Sequence, residues 1–407
     1  MRLGPYLRKK HSLFHEFLRR VTSIIDYVLW LLFDPSKYTI IKNRDVDKIL
    51  IVLIYQTTGN IGGNFCALGV ANYFKALYPK VKLSFLLDKK SMNQFGKVPG
   101  IEMIEYKGKD TIGKLKEKGF KAAFLLHLES LKTRDFKFVP YRLVLSKTNV
   151  SSLISPTGKL FITRKVLVPR APMPNGTHMV NLYFKLFEAL GFRFKEYGIK
   201  FFHTKKEESK INQFLRKNKI KKFIIIHPGG KHVVRILKEG KISPFLWPLD
   251  RYSKVAKHFM REGYKILVTG APDESYLVSE MARLGKLPKK SLVDCCGKFS
   301  FREVGALLKK ASALVSTDTS IVHLAYQVKT PITELMGPSR PDIYGPWPLP
   351  SKRHIVLFDT GPCSLCQIKM PCPENKVCMA RIKVDDVIKA TEQLLKKRNV
   401  TKSIRYL

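Results

Sequence analysis

Acidic residues are scarce in this chain: 32 Asp and Glu stand against 74 Lys and Arg, which gives a formal charge of +42 and a pI near 10.0. Such a deficit excludes an electrically balanced surface and calls for a partner or surface that carries negative charge. Nucleic acid, anionic lipid and a phosphorylated glycolipid qualify. Nucleic acid ranks below the membrane, because the basic residues are spread along the whole chain and no RNA-recognition motif, zinc finger or dense basic tail gathers them. Cysteine is also sparse. Seven in 407 residues, four of them crowded near the C-terminus, do not make a secreted disulfide framework, so a cytoplasmic setting is expected. Long apolar runs are missing as well. The segment 21–33 carries only Asp26 as a charge, yet it falls short of the roughly 20 residues a bilayer span needs and is followed by no small-residue cleavage site. Flanked by Arg2, Arg8, Lys9, Lys10, Arg19 and Arg20, and bearing Tyr27, Trp30 and Phe33, it reads as an amphipathic helical extension over 1–45. That helix would lie in the membrane interface, peripheral to the inner face.

What is present points to an α/β protein. With 45% apolar residues the chain folds, and its length suggests two domains of about 150 to 200 residues each. Residues 47–55 (DKILIVLIY) are a near-continuous aliphatic run, as expected of a central strand in a parallel sheet. A glycine-rich turn at 56–64 (QTTGNIGGN), a helix over about 65–78 and a strand at 82–87 follow. Further strands are expected at 122–127 and 141–145, then a polar, proline-rich stretch over 166–181 that contains His178, and a helix at 182–190. The segment 199–220 is highly charged and reads as a boundary. The pattern then restarts with a strand at 222–227, a Pro228-Gly229-Gly230 turn, an amphipathic helix at 249–261, a strand at 264–269 and the turn GAPDE. Two strand-turn-helix-strand series predict two Rossmann-like domains facing a cleft, over 46–205 and 206–383, with a closing helix and tail over 384–407.

The stretch at 313–338 (ALVSTDTSIVHLAYQVKTPITELMGP) organises the second series. An apolar strand runs into Ser316, Thr317, Asp318, Thr319 and Ser320, a helix follows with Ile321, Leu324, Ala325 and Val328 at helical spacing, and 332–336 makes the next strand. Thr317 or Asp318 is the expected cap. A strand, a hydroxyl-rich turn and a helix start aim backbone N–H donors and partial positive charge at one spot, which suits a diphosphate. The first glycine turn, GNIGGN, lacks the dinucleotide spacing G-x-G-x-x-G.

The motifs HPGGK, Trp247-Pro248, TGAPDE, CGKFSFREVGALLKKA and DTSIVHLA, in that order, resemble glycosyltransferase family 9, the lipopolysaccharide-core heptosyltransferases. The resemblance implies the two-domain GT-B plan. It also implies an inverting glycosyltransferase moving a sugar, ADP-heptose being the expected donor, onto an anionic lipid-linked glycan acceptor, with neither cofactor nor metal. It assigns His227, Gly229, Lys231, Glu274, Asp318, Thr319, Ser320 and His323 to the nucleotide-sugar donor. Ser320 stands where the family has Gly. The family's donor-phosphate lysine falls among Lys231, Lys238 and Lys241, with Lys241 preferred. In the first glycine turn the family carries a catalytic Asp. Here Asn60, Gly63 and Asn64 occupy the candidate positions, and an amide cannot take up a proton at neutral pH. Asp88 and Glu129 are the candidate stand-ins. That departure keeps open a homologue that binds nucleotide sugar without transferring it, and the charge keeps open a basic RNA- or membrane-surface-binding protein. Cys363, Cys366, Cys372 and Cys378 have a spacing that admits a zinc site or a plain proline-rich loop.

Overall fold

The computed structural model describes residues 45–54, 61–128, 133–136, 138–147, 164–168, 178–230, 245–288, 291–358, 377–396 and 404–406. Residues 1–44 of the expected extension over 1–45, together with Asn60, Glu129, Lys231, Lys238, Lys241, Cys363, Cys366 and Cys372, lie outside them. The chain forms two compact units. The first comprises residues 1–59, 75–177 and 181–197, and the second 60–74, 178–180 and 198–407. The expected cut after residue 205 compares with an observed one between Tyr197 and Gly198, and two segments expected in the first domain join the second.

The first unit holds six parallel strands: β1 (Lys48–Ile54), β2 (Lys82–Leu87), β3 (Ile101–Glu105), β4 (Ala122–Leu128), β5 (Tyr141–Lys147) and β6 (Arg164–Val168). Their order is β3-β2-β1-β4-β5-β6, so the aliphatic run is central, as its composition requires. Residues 49–54 are buried on both faces. One face packs Leu50, Val52 and Ile54 on Leu86, Leu115, Phe120 and Phe136. Aromatic residues dominate elsewhere: Phe124 meets Phe187 edge-on at 4.8 Å, and Phe184 stacks on Tyr197 at 4.3 Å. Asp88, one candidate base, caps the helix Lys89–Phe95, accepting from the Ser91 N–H and the Ser91 hydroxyl, both at 2.9 Å.

The second unit contains β7 (Phe223–His227), β8 (Lys265–Val268), β9 (Leu292–Asp294), β10 (Ala313–Thr317), β11 (Ile332–Met336), β12 (His354–Phe358) and β13 (Ile404–Tyr406). The order β13-β12-β11-β10-β7-β8-β9 is again doubly wound and parallel, with the strand order reversing between β7 and β10. Its core joins β7, β8, β10 and β11 to the helix Leu249–Arg261 and the helix Val384–Leu395. The latter is built into this core: Thr391 shares a 2.9 Å hydrogen bond with Thr333, and Val387, Ala390 and Leu394 are buried. The charged segment expected as a boundary is largely a helix, Lys205–Lys217, whose Ile211 and Leu215 face inward. Its charges pair with the helix Phe301–Lys310 through Lys210–Glu303 at 2.8 Å and Lys309–Glu208 at 2.9 Å. Such surface pairs are worth under about 1 kcal/mol each, so the two buried side chains hold the helix and the ions tune it.

The helix Ile61–Leu77 begins in this second unit. Gly69 lets it approach closely, since a Cβ there would lie 2.4 Å from Gln327 Oε1 and 2.5 Å from Ile199 Cγ1. Gln327 donates to the Phe65 carbonyl at 3.2 Å, Lys200 N–H donates to the Gly69 carbonyl at 3.0 Å, and the Cys66 thiol meets the Tyr326 hydroxyl at 3.1 Å. These contacts fix the helix start beside the helix Ser320–Gln327.

Candidate functional site

Ligands of doubly wound sheets gather where the strand order reverses, at the C-terminal ends of the strands. In the second sheet that point lies between β7 and β10, where His227 is in register with Ser316. Two turns leave from it, and they are built differently.

The turn after β7 is Pro228-Gly229-Gly230. Glu274, at the turn after β8, reaches across to it: Gly230 N–H donates to Oε1 at 2.5 Å, and Ala271 N–H donates to Oε2 at 2.7 Å. Glycine is required on both sides of the carboxylate, because a Cβ at Gly229 or Gly270 would sit 2.7 Å from a Glu274 oxygen. Glu274 is only 3% exposed, and burial raises its carboxyl above the ordinary range while the two amides oppose the rise. The resemblance assigns Glu274 to the nucleoside. The structure shows a clasp that holds two glycine turns together.

The turn after β10 is Ser316-Thr317-Asp318-Thr319. Ser316 Oγ lies 2.8 Å from the Thr317 carbonyl, 3.3 Å from the His227 carbonyl and 3.1 Å from Thr319 Oγ1, which ties this turn to β7. The helix Ser320–Gln327 starts here. Its N-cap is Thr319, in extended backbone and without a side-chain cap bond, which corrects the expectation of Thr317 or Asp318 as cap. The first amides of the helix therefore receive no side-chain oxygen from the cap, and the positive end of the helix dipole is left for another acceptor. Ser320 has no left-handed backbone angle, so the glycine it replaces is not needed for conformation.

Asp318 is partly buried. Burial raises its carboxyl, opposed by a hydrogen bond from Ser339. Beneath it lies a residue that the sequence reading passed over. Glu334, in the middle of the apolar strand ITELM, is 0% exposed, and burial together with the Asp318 carboxylate pushes its carboxyl well above the usual range. The signal was available: a single acid inside a strand apolar on both faces. One helical turn past the N-cap, His323 is buried and pushed down to about 3, first by burial and then by His178. His178, whose segment joins this unit, is fixed by its own bonds: Nδ1 accepts from Val180 N–H at 3.2 Å, so Nε2–H donates to the Gly345 carbonyl at 2.9 Å. Both rings are therefore neutral near pH 7.

Of the expected donor residues, His227 ends β7 and Gly229 lies in the turn after it, Glu274 reaches that turn from the one after β8, and Asp318, Thr319, Ser320 and His323 belong to the turn after β10 and the helix leaving it. Asn64 is buried in the same unit, near the start of the helix Ile61–Leu77. Asn60, Lys231 and Lys241 lie outside the described residues.

Two doubly wound parallel sheets, one carrying an uncapped helix start at its switch point, define the nucleotide-binding class of α/β proteins. The sequence profile of glycosyltransferase family 9 (heptosyltransferase) matches residues 152–377, more than half of the chain, so the chain belongs to that family and is a glycosyltransferase. It is 25% identical over 350 residues to lipopolysaccharide heptosyltransferase 3 of Escherichia coli K12, covering 80% of this chain and 93% of that one. Its fold is similar to the family 9 glycosyltransferase of Veillonella parvula, with a TM-score of 0.68 at 19% identity over 88% of this chain and 100% of the other. It is similar also to E. coli ADP-heptose heptosyltransferase II, with a TM-score of 0.64 at 16% identity over 86% and 99%. The likeness establishes the GT-B fold.

Proposed function

We propose that this protein transfers a heptose from ADP-heptose, with inversion, onto a sugar of a lipopolysaccharide-type, lipid-linked glycan. The observation that carries the reading is the uncapped helix start at Ser320, set at the switch point beside the Gly229-Gly230 turn. Family membership and the printed activities of the relatives support the choice of sugar and acceptor.

In this reading an acceptor hydroxyl oxygen bonds to the anomeric carbon and gives up its proton to solvent water, while the bond from that carbon to the diphosphate breaks and ADP leaves with the electron pair. The amides of Ser320 and the residue after it stabilise the charge that grows on the departing diphosphate, together with Lys231 or Lys241. Asp318 orients sugar hydroxyls, and neutral His323 offers a ring nitrogen to phosphate or sugar. Glu274 keeps the two glycine turns in place around the nucleoside. Asn64, being an amide, positions the acceptor rather than accepting its proton. Of the two domains expected from the sequence, the one over 206–383 takes the donor and the one over 46–205 the acceptor. The basic extension over 1–45 and the charge of +42 favour an anionic acceptor at the cytoplasmic membrane face.

Incubation of the purified protein with ADP-heptose and heptose-deficient lipopolysaccharide tests the reading. Stoichiometric ADP release with a mass gain of one heptose on the acceptor supports it. Donor binding without release marks a nucleotide-sugar-binding homologue, a reading favoured by the absence of any carboxylate in QTTGNIGGN and by the cap role of Asp88.

A further inference from the structure

Glu334 bears a cost for which the fold shows no return. All five residues of β11 are buried. Its neighbour Thr333 has a partner in Thr391, whereas neither oxygen of Glu334 meets a hydrogen-bond partner among the described residues. A buried polar group left unpaired costs about 1–3 kcal/mol, and an apolar side chain of similar volume avoids that cost. Unpaid local costs of this kind gather at functional sites.

Its position says which site. Glu334 is in register with Ser316, whose hydroxyl ties the β10 turn to His227, and Asp318 lies two residues further on, near enough to act on the Glu334 charge. An ionised Glu334 would set a second negative charge below a turn that receives a diphosphate. An uncharged carboxyl instead offers one O–H donor, and Asp318 is the acceptor at hand.

We propose that Glu334 is a positioning residue for the Asp318 turn, acting through an uncharged carboxyl that serves donor binding and not the stability of the fold. The inference rests on the donor site proposed above. Among the described residues, the other ionisable groups around the turn include Asp318, His323 on the following helix, His178 beside His323, His227 at the end of β7, Tyr252 near Thr317, and Arg340, Asp342 and Tyr344 in the segment after β11. Glu334→Gln leaves all of them in place.

The test titrates ADP, as probe, into the wild type, Glu334→Gln and Glu334→Leu by calorimetry, alongside their thermal unfolding. Glu334→Leu is expected to unfold at or above the wild-type temperature yet to bind ADP about ten-fold more weakly, the size of one hydrogen bond to a charged group. Glu334→Gln is expected to restore the affinity, because the amide is uncharged and keeps an N–H donor where the carboxyl has its O–H. Unchanged ADP affinity in Glu334→Leu overturns the inference, as does failure of that variant to fold, since Glu334 would then serve stability. Loss of affinity in Glu334→Gln equal to that in Glu334→Leu overturns the uncharged role. A wild-type protein that itself binds no ADP overturns the donor site on which the inference depends, and is recognised by its silence before any variant is compared.

Discussion

Two buried glutamates belong to the second unit, one at the turn after β8 and the other in the middle of β11. Glu274 has both oxygens engaged by backbone amides and is wedged between glycines. Glu334 is buried more completely and has no partner among the described residues. The contrast teaches that burial alone does not say what a carboxylate is for. Where the surroundings satisfy it, it is part of the frame; where they do not, the chain bears a cost for something other than folding. Around the turn after β10 the neutral histidines repeat the pattern, since His323 Nδ1 is also buried without a partner among the described residues.

Acid gives the largest effect and sharpens the contrast. Burial holds His178, His227 and His354 down to about 4 and His323 to about 3. Their folded pKa values lie below the unfolded value, so the stability they contribute is present above pH 6.5 and is lost as pH falls toward 4. Each histidine can cost about 1.4 kcal/mol per pH unit across that window. Glu334 acts with the opposite sign. Its raised carboxyl contributes stability below about pH 4.5 that is lost as pH rises toward its folded value. Urea unfolding at half-unit steps from pH 7.5 to 4 should therefore show a steep loss of several kcal/mol, with no plateau above pH 5. A flat profile would mean that the site histidines are charged or exposed.

Removing the satisfied glutamate comes next. Glu274→Leu leaves the Gly230 and Ala271 amides without acceptors, at about 1–3 kcal/mol each, so unfolding free energy should fall by about 2–6 kcal/mol. If Glu274→Leu proves as mild as Glu334→Leu, the distinction between frame and function fails. A Cβ tests the same clasp more gently. Gly229→Ala places a carbon 2.7 Å from Glu274 Oε1 and should cost about 1–3 kcal/mol, while Gly113→Ala, where nothing lies within 4 Å, should be neutral or add up to about 1 kcal/mol. Denaturant midpoints of the two variants should move in opposite directions or differ by at least the smaller of these sums.

Elements carried by continuous apolar pattern were legible in the sequence. The strands at 82–87 and 332–336 and the helices at 249–261 and 384–395 fall where periodicity puts them, because each buries a stripe or both faces and is bounded by glycine, proline or charge. The helix Lys205–Lys217 was hidden because only Ile211 and Leu215 are buried among many charges that read as a linker. The joining of residues 60–74 to the second unit was not legible at all. It rests on Gly69 meeting Gln327 and Ile199 far along the chain, and no local pattern encodes a contact of that separation. At the site, the residue types gave the turn and the helix start, but the cap identity depended on backbone angles at Thr319. Glu334 was overlooked because a strand of five with one acid still reads as a buried strand, and only its zero exposure gives the acid meaning.

The smallest effect concerns Ser320, where the sequence departs from the family pattern. A glycine at a helix start is needed when the backbone is left-handed or when a ligand must come closer than a Cβ allows. Ser320 meets neither structural demand on the first count, since its backbone angle lies outside the left-handed region. Ser320→Gly should therefore shift stability by less than about 1 kcal/mol, in the unfavourable direction, because glycine loses more freedom on entering the first helical turn. On the second count, the donor amide of residue 320 is the same in both side-chain contexts. Affinity for ADP, measured beside unfolding, should thus stay within about two-fold of the wild type, a change well under 1.4 kcal/mol. A large gain in affinity from Ser320→Gly would show that the serine side chain obstructs the phosphate, and would place the diphosphate closer to this turn than to the Gly229-Gly230 turn beside it.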